Sequence, residues 1–314
     1  MTRVAVVGVG ALGQQHARVY AAVAGATLVG VHDLDAHRAA AVVSRHGGRV
    51  LGSLEEVIAE AEAVSVAVPT VDHHRVTRPL LEAGKDVLLE KPMTATLEEA
   101  DDLIRVAGER GAVLQIGHIE RFNPAVDILR AEVRSPRFIE VHRLGSFSPR
   151  SLDVDVVLDL MIHDLDIVLC LDGSEAVQVD AVGVPVLTSR VDIASARLRF
   201  ASGLIANLTA SRVSTEKVRK FRVFSPRTYI SADFTAREAS VSRLKEGAGG
   251  KPEIVVERTA APEEEPLRRQ IEAFLGAVRS RGPAPVSAAE GRRALALART
   301  ILERMQANGA DLRS

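Results

Sequence analysis

The stretch "VAVVGVGALGQQHA", Val4–Ala17, decides how the rest of the chain is read. A short apolar run, Arg3–Val7, leads directly into Gly8, Gly10 and Gly13, spaced G-x-G-x-x-G. The residues after them suit a helix from about Ala11 to Ala24. An unbroken run of Val and Ala fits a strand buried on both faces, as parallel sheets require. Asp33 lies 20 residues past Gly13, at the end of a second strand-like run, Thr27–His32. In this strand–turn–helix setting the pattern is a dinucleotide fingerprint. Gly8 permits the tight turn, Gly10 lets a pyrophosphate approach the backbone, and Gly13 allows close helix–strand packing. The helix N-terminus offers N–H groups and partial positive charge to phosphates. The competing reading is a glycine turn in an α/β protein that binds no nucleotide. Asp33 would accept bonds from the adenine-ribose hydroxyls and repel a 2′-phosphate, which favours NAD. Arg38 has two readings, a solvated helix residue or an acceptor of that phosphate, so NADP is not excluded.

Outward from this motif, strand and helix alternate. Helices are expected over Ala36–Arg45, Leu54–Ala61 (capped by Ser53), His73–Ala83 and Thr96–Gly108. Strands are expected at Arg49–Leu51, at Ala63–Val68 before Pro69, at Asp86–Glu90 before Pro92, and at Val113–Gly117. Alternation of this kind predicts a doubly wound parallel sheet with helices on both faces. After Ile119 the pattern changes. Asn123 caps a helix to Val133, with Pro124 at its first position. Strand-like runs follow at Phe138–Leu144, Glu175–Val182, Asp192–Phe200, Leu204–Val213, Lys220–Phe224, Thr228–Asp233 and Ala239–Leu244. A loop is expected over Glu246–Glu253, then closing helices at Leu267–Ser280 and Ala288–Asn308. The expected organisation is a dinucleotide-binding domain, residues 1–119, and an α+β domain with an open, mainly antiparallel sheet, residues 120–314. The closing helix has the option of packing back toward the first domain. An open sheet with an apolar face needs a cover, and a second subunit is one candidate, hence a homo-oligomer.

Composition narrows the function classes. In 314 residues, 40 Lys and Arg nearly balance 41 Asp and Glu, which argues against nucleic acid or an anionic membrane as partner. A single cysteine, Cys170, allows no internal disulfide and fits a reducing compartment. The N-terminal apolar run lacks the long core of a signal peptide, and its glycines sit where a strand–turn–helix needs them. No apolar run approaches a membrane span. A soluble, cytoplasmic protein is expected.

Two further segments carry chemistry. In "DVLLEKPMT", Glu90, Lys91 and Pro92 fall at the carboxyl end of an expected parallel strand, the edge where such sheets bind ligands. Lys91 there could hydrogen-bond a substrate hydroxyl; the bland alternative is a surface lysine before a helix. The bond before Pro92 is a candidate for cis. The second segment is "DVVLDLMIHDLDIVLCL", Asp155–Leu171. On a regular helix, with Asp155 at zero, Asp159, His163 and Asp166 fall at about 40°, 80° and 20°, within one stripe. Asp164 falls at about 180°, free to cap or to pair with an Arg across the domain. Asp159 and His163 are i and i+4, so their side chains can meet. Oxidising a secondary alcohol needs a base for its proton, and imidazole beside an orienting carboxylate suits that task near neutral pH. The wheel alone equally allows a solvated face or a metal-holding stripe.

Taken in order, Gly8-x-Gly10-x-x-Gly13, Glu90-Lys91-Pro92 and Asp159-x-x-x-His163-Asp164 resemble the Gfo/Idh/MocA oxidoreductases over essentially the whole chain. That resemblance implies a Rossmann domain followed by an open-sheet domain carrying substrate and often oligomer contacts. It implies NAD(P)-dependent oxidation of sugars, inositols or nucleotide sugars, with no general need for a metal. It implies that Lys91, Asp159 and His163 are catalytic, with a division of labour between Lys and His that varies among members; the chemistry assigns His163 as base, Asp159 as its orienting partner and Lys91 to position the reacting oxygen. The dinucleotide contacts expected are Gly8, Gly10, Ala11, Leu12, Gly13, Asp33, Pro69, Glu90 and Lys91.

"GHIERFNPA", Gly117–Ala125, resembles a segment of the family's UDP-N-acetylglucosamine 3-dehydrogenase subgroup, which serves lipid A precursor modification. This implies a UDP-sugar substrate oxidised at C3. Candidate substrate contacts are His118, Arg121, Asn123, Asp155 and Asp166, although Asn123-Pro124 also reads as a helix start and Arg121 as a loop anchor. Arg121, Arg143, Arg150, Arg212 and Lys217 are candidates to meet a diphosphate or uridine, unranked. The alternatives kept open are another sugar or inositol dehydrogenase, and a non-catalytic NAD-binding sensor, which would need none of Lys91, Asp159 and His163.

Overall fold

The N-terminal run forms β1 (Thr2–Val7), in which Val4, Ala5 and Val6 are wholly shielded from water. The computed structural model describes residues 1–147, 154–247, 251–260 and 262–309. Five strands join β1: β2 (Ala26–His32), β3 (Arg49–Val50), β4 (Ala63–Val66), β5 (Asp86–Glu90) and β6 (Leu114–Gly117). They pair, all parallel, in the order β3-β2-β1-β4-β5-β6. Between them run α1 (Gly13–Ala22), α2 (Ala36–His46), α3 (Leu54–Glu60), α4 (His73–Glu82) and α5 (Leu97–Arg110). This is the expected doubly wound sheet. Its order reverses between β1 and β4, the switch point at which ligands bind in such folds. Local signals set the helix starts. Ser53 accepts from Glu56 N ahead of α3, and Thr96 forms a reciprocal capping box with Glu99 ahead of α5.

The chain divides into two compact units, Met1–Ile119 with Glu265–Arg292, and Glu120–Glu264 with Arg293–Ser314. The segment 265–292, placed with the second domain in the sequence reading, therefore completes the first unit. Its α8 (Pro266–Ser280) buries Leu267, Ile271, Phe274 and Leu275 in one core with Val4, Val6, Ala17 and Tyr20. Ile116 N then donates to Val286 O at 3.0 Å, and Arg281 pairs with Asp86 at 2.7 Å. The spacing of apolar residues announces a helix with a buried face; it carries no information on which sheet that face covers.

The second unit is built on an eight-stranded sheet, β14-β13-β12-β11-β7-β10-β9-β8, antiparallel except between β7 and β10. The strands are β7 (Phe138–Leu144), β8 (Ala176–Val184), β9 (Ile193–Phe200), β10 (Ile205–Ser211), β11 (Val218–Ser225), β12 (Thr228–Asp233), β13 (Glu238–Glu246) and β14 (Pro252–Ala260). Side chains from α6 (Pro124–Glu132), α7 (Ile162–Asp172) and the later part of α9 (Ala288–Ala307) share its core, among them Leu129, Leu165 and Ile301. Along β9 every second residue is buried and the others are exposed, so one face is covered and one is bare. β14 was not expected. Nearly all of its residues are exposed, so no buried alternation marks it in the sequence; it is held by pairing with β13 and by the Arg243–Glu257 ion pair at 2.9 Å. The loop expected over Glu246–Glu253 is correspondingly shorter, and residues 248–250 within it lie outside the described residues. No described helix is long and apolar enough to cross a membrane.

Candidate active site

In the first unit the three glycines have separate reasons. Gly8 has φ +80°, and a Cβ on it would lie 2.7 Å from Ala67 O, just past the adjacent β4. A Cβ on Gly13 would lie 1.8 Å from Gly8 O. Packing within the protein demands both. Gly10 differs, because a Cβ there would meet nothing within 4 Å. Its bareness leaves room at the backbone for something outside the chain, as a pyrophosphate requires. Ala11 and Leu12 are exposed at the same turn, and no side chain caps α1, so its N-terminus is open to an anion. Pro69 is exposed beyond β4. Asp33 ends up inside the loop's own scaffold: Oδ2 accepts from Val9 N at 2.8 Å and Oδ1 from Asp35 N at 2.8 Å. Arg38 Nη1 reaches both Asp33 oxygens, at 3.2 and 3.4 Å, so its charge is engaged by the residue that would read the ribose.

Beneath this turn runs a buried polar chain. His16 on α1 places Nε2 3.1 Å from Glu90 Oε1 and Nδ1 3.1 Å from Ser65 Oγ, and Ser65 Oγ lies 2.9 Å from Tyr20 Oη. A carboxylate only accepts, so Nε2 carries the ring proton toward Glu90; Nδ1 then accepts from Ser65, and Ser65 from Tyr20. The second Glu90 oxygen accepts from Lys91 N at 3.3 Å. Burial pushes the Glu90 carboxyl up, but the His16 hydrogen bond and the nearby positive charge outweigh it, and the net is a pKa below the ordinary value. Burial pushes the Tyr20 phenol up. Glu90 was expected at the dinucleotide; both its oxygens are instead spent on His16 and on the backbone of Lys91. Lys91 itself is half-buried at the end of β5, and the Lys91–Pro92 bond is cis. Next to it, buried His73 bridges two turns, with Nδ1 2.8 Å from Pro92 O and Nε2 3.0 Å from Val68 O. Burial holds His73 below its ordinary pKa; a neutral ring donates to one of these carbonyls at a time.

In the second unit the expected regular helix is interrupted. Val157–Met161 is a π-helical turn, and α7 begins only at Ile162. Such wide turns recur at functional sites, and here the turn contains Asp159 and ends two residues before His163. It also breaks the four-residue stripe. Asp155 precedes the helix and accepts from Val191 N at 3.3 Å. Asp166 is buried and takes a two-pronged bond from Arg121, Nε to Oδ2 at 2.6 Å and Nη2 to Oδ1 at 3.1 Å. Arg121 and Asp166, both expected as substrate contacts, thus tie the turn Ile119–Phe122 to α7. Asn123 caps α6 through Ala125 N and donates to Glu120 Oε2 and Phe234 O, so its amide is committed as well. His118 is fully buried. Of the stripe, Asp159 and His163 remain candidates. Asp164, on the opposite side, pairs with Arg143 through two bonds of 2.7 Å each. Glu120 takes the third arm of Arg143 at 2.8 Å. Burial works against the charge on Arg143, but the two carboxylates outweigh it and raise its pKa; burial raises that of Asp164. Arg212 is likewise spent, on Asp192 at 2.9 Å and on Val154 O at 2.9 Å. Arg150 lies outside the described residues. Asp159 lines a cavity of about 290 Å³ together with Arg143, Arg212, Lys217 and Arg219.

Residues 2–118 match the oxidoreductase family with an NAD-binding Rossmann fold, and residues 126–230 match the GFO/IDH/MocA C-terminal domain. The chain belongs to the Gfo/Idh/MocA oxidoreductases. It is 43% identical to a UDP-N-acetylglucosamine 3-dehydrogenase of Acidithiobacillus ferrooxidans, over 94% of this chain and 95% of that protein. A solved structure of that dehydrogenase superposes with a TM-score of 0.93 at 41% identity, covering 100% of this chain and 99% of the other. An inositol 2-dehydrogenase of Rhizobium meliloti is 26% identical over 97% of this chain and 98% of its own.

For a Gfo/Idh/MocA enzyme, the bare Gly10, the uncapped α1 and the exposed Ala11 and Leu12 fit NAD, which those residues would hold with Asp33. Among the described residues no group of three or more His, Cys, Asp and Glu side chains is placed to hold a metal. Sequence reasoning passed over His16, Ser65, His73 and Arg219. A signal existed for one of them: Ser65 is a lone hydroxyl in the apolar run "AVSVAV", where an unpaired polar group would be costly. His16 and His73 carry none, because a histidine on a helix reads the same buried or exposed.

Proposed function

We propose that this oxidoreductase oxidises the C3 hydroxyl of UDP-N-acetylglucosamine, giving the 3-keto sugar nucleotide. NAD⁺, when bound, accepts the hydride leaving C3. His163 takes the hydroxyl proton, Asp159 orients the imidazole and balances the charge it gains, and Lys91 donates to the reacting oxygen. The alcohol thereby loses one hydride and one proton. The observation that carries the substrate assignment is the 43% identity, along 94% of the chain, to a dehydrogenase named for that substrate. The π turn that contains Asp159 and runs into the helix carrying His163 supports the roles given to them.

The ketone would serve a downstream aminotransferase in lipid A precursor modification, which places the enzyme in the cytoplasm with its sugar nucleotide and NAD. The bare sheet face, with Val177, Val182 and Val184 exposed on β8 and Ile254 and Val256 on β14, supports a homo-oligomer formed through that face.

The test is a substrate panel. Purified protein with NAD⁺ is offered UDP-N-acetylglucosamine, other UDP-sugars, myo-inositol and free hexoses, and reduced nicotinamide is followed by absorbance. Turnover of the N-acetylglucosamine nucleotide is expected; turnover of inositol or glucose in its place overturns the substrate assignment. His163→Ala should cut kcat by about a hundredfold or more, and full turnover by that variant removes His163 as base.

A further inference from the structure

We propose that the cavity walled by Asp159, Lys217 and Arg219 in the second unit is the diphosphate subsite for the sugar nucleotide, with Lys217 and Arg219 as the residues that grip it. This rests on the sugar-nucleotide reading above and deepens it. Asp159 belongs to the proposed reacting pair, so whatever fills this space lies beside the chemistry. Four cationic side chains face it, and the hydrogen bonds around them divide them into two classes. Arg143 is spent on Asp164 and Glu120, and Arg212 on Asp192 and two backbone carbonyls. Both are buried and serve as the fixed floor.

Lys217 and Arg219 are different. Arg219 lies in β11 and Lys217 immediately precedes that strand, and both side chains line the cavity. Lys217 is exposed and makes no ion pair among the described residues. The Arg219 side chain is 38% exposed, and its ion pair is with Glu120 at 3.3 Å, an oxygen that Arg143 already holds at 2.8 Å. Arg219 also sits directly opposite Arg143 in the β11–β7 ladder. Like charges in that position repel; Asp164 and Glu120 together offset that pair, and Lys217 adds a further positive charge at the cavity. An anion in the cavity meets Lys217 and the exposed part of Arg219, and a diphosphate offers the oxygens that guanidinium and ammonium groups bind best. Of the sequence candidates for a diphosphate among the described residues, Lys217 is exposed, whereas Arg121, Arg143 and Arg212 are buried in ion pairs.

The test is steady-state kinetics of the full chain with NAD⁺ and UDP-N-acetylglucosamine, for the wild type, Lys217→Ala, Arg219→Ala, the double variant and Lys217→Arg. Lost charge-assisted bonds should raise KM for the sugar nucleotide by about tenfold to a hundredfold in the double variant. KM for NAD⁺ and the melting temperature should stay close to wild type, and Lys217→Arg should restore most of the affinity. Uridine diphosphate should inhibit the wild type competitively against the sugar nucleotide and lose that effect in the double variant. A folded double variant with unchanged KM and unchanged inhibition overturns the subsite while leaving the substrate assignment intact. A wild type that ignores every UDP-sugar and is insensitive to uridine diphosphate overturns both.

Discussion

The His16 imidazole and the Glu90 carboxylate meet at 3.1 Å, both shielded from water, and join the helix of the glycine turn to the residue preceding Lys91. One residue lies three positions after Gly13, the other ends β5. Through this contact the placement of the dinucleotide helix and of the lysine loop depend on each other. Small misplacements at a reacting centre are costly, up to about a hundredfold for 1 Å. His16→Ala should therefore lower kcat by about tenfold to a hundredfold with little change in the sugar's KM. Glu90→Gln retains an oxygen for His16 and should lose less. Steady-state kinetics of both variants check this, and a His16→Ala enzyme with wild-type kcat removes the coupling.

Asp33 and Arg38 form a second testable pair. The Asp33 carboxylate engages the Arg38 guanidinium at 3.2 Å and would repel a 2′-phosphate. Asp33→Ser removes the repulsion and releases Arg38 for that phosphate. The ratio of kcat/KM for NADP⁺ over NAD⁺ should rise by about tenfold or more. The absolute rate should fall, because Asp33 also accepts from Val9 N in the glycine turn. An unchanged cofactor ratio would show that Arg38 stays away from the ribose.

The buried Arg143–Asp164 pair concerns stability. Asp164→Ala leaves Arg143, 4% exposed, with Glu120 as its remaining partner. Removing one member of a buried pair typically costs about 3–5 kcal/mol. Urea unfolding should place the loss near that range, softened to the extent that Glu120 takes up the charge. A variant as stable as the wild type would mean the pair is dispensable to the fold.

Acid sensitivity is expected from Asp102, whose pKa is lowered to about 2 by hydrogen bonds from His74, then Arg105, and from Arg78, against a smaller opposing effect of burial. The unfolded-state value is about 3.9. A depressed carboxylate pKa contributes stability above the unfolded value and loses it as pH falls through the folded one. The melting-temperature gap between wild type and Asp102→Asn should thus be full at neutral pH and close between about pH 4 and pH 2. Melting curves of both proteins across that range provide the check; a gap independent of pH would separate Asp102 from acid unfolding.

Most of the parallel sheet was legible because its signals are local. Unbroken Val and Ala runs, Gly8 and Gly13, Ser53 and Thr96 each act within a few residues of where they stand. The candidate site was legible as residue types at the glycine turn, at Lys91, and at Asp159 and His163. It failed where an ionisable group's role depends on a distant partner. Arg121 and Asp166 looked like ligand contacts and are a buried pair 45 residues apart in sequence. Glu90 looked like a cofactor contact and belongs to His16, 74 residues away.

By itself, then, the order of residues determined the alternation of strand and helix, the dinucleotide turn and the candidate chemistry, all of which depend on backbone conformation and side-chain type over one or two turns. Only the tertiary structure decided that α8 completes the first core, that β14 extends the second sheet, and that Asp155 lies ahead of the helix, outside the polar stripe. It also decided which charges neutralise one another. Pairing of buried charges is set by distances across the fold, and the free energy of an arginine or carboxylate changes sign with the presence of its partner.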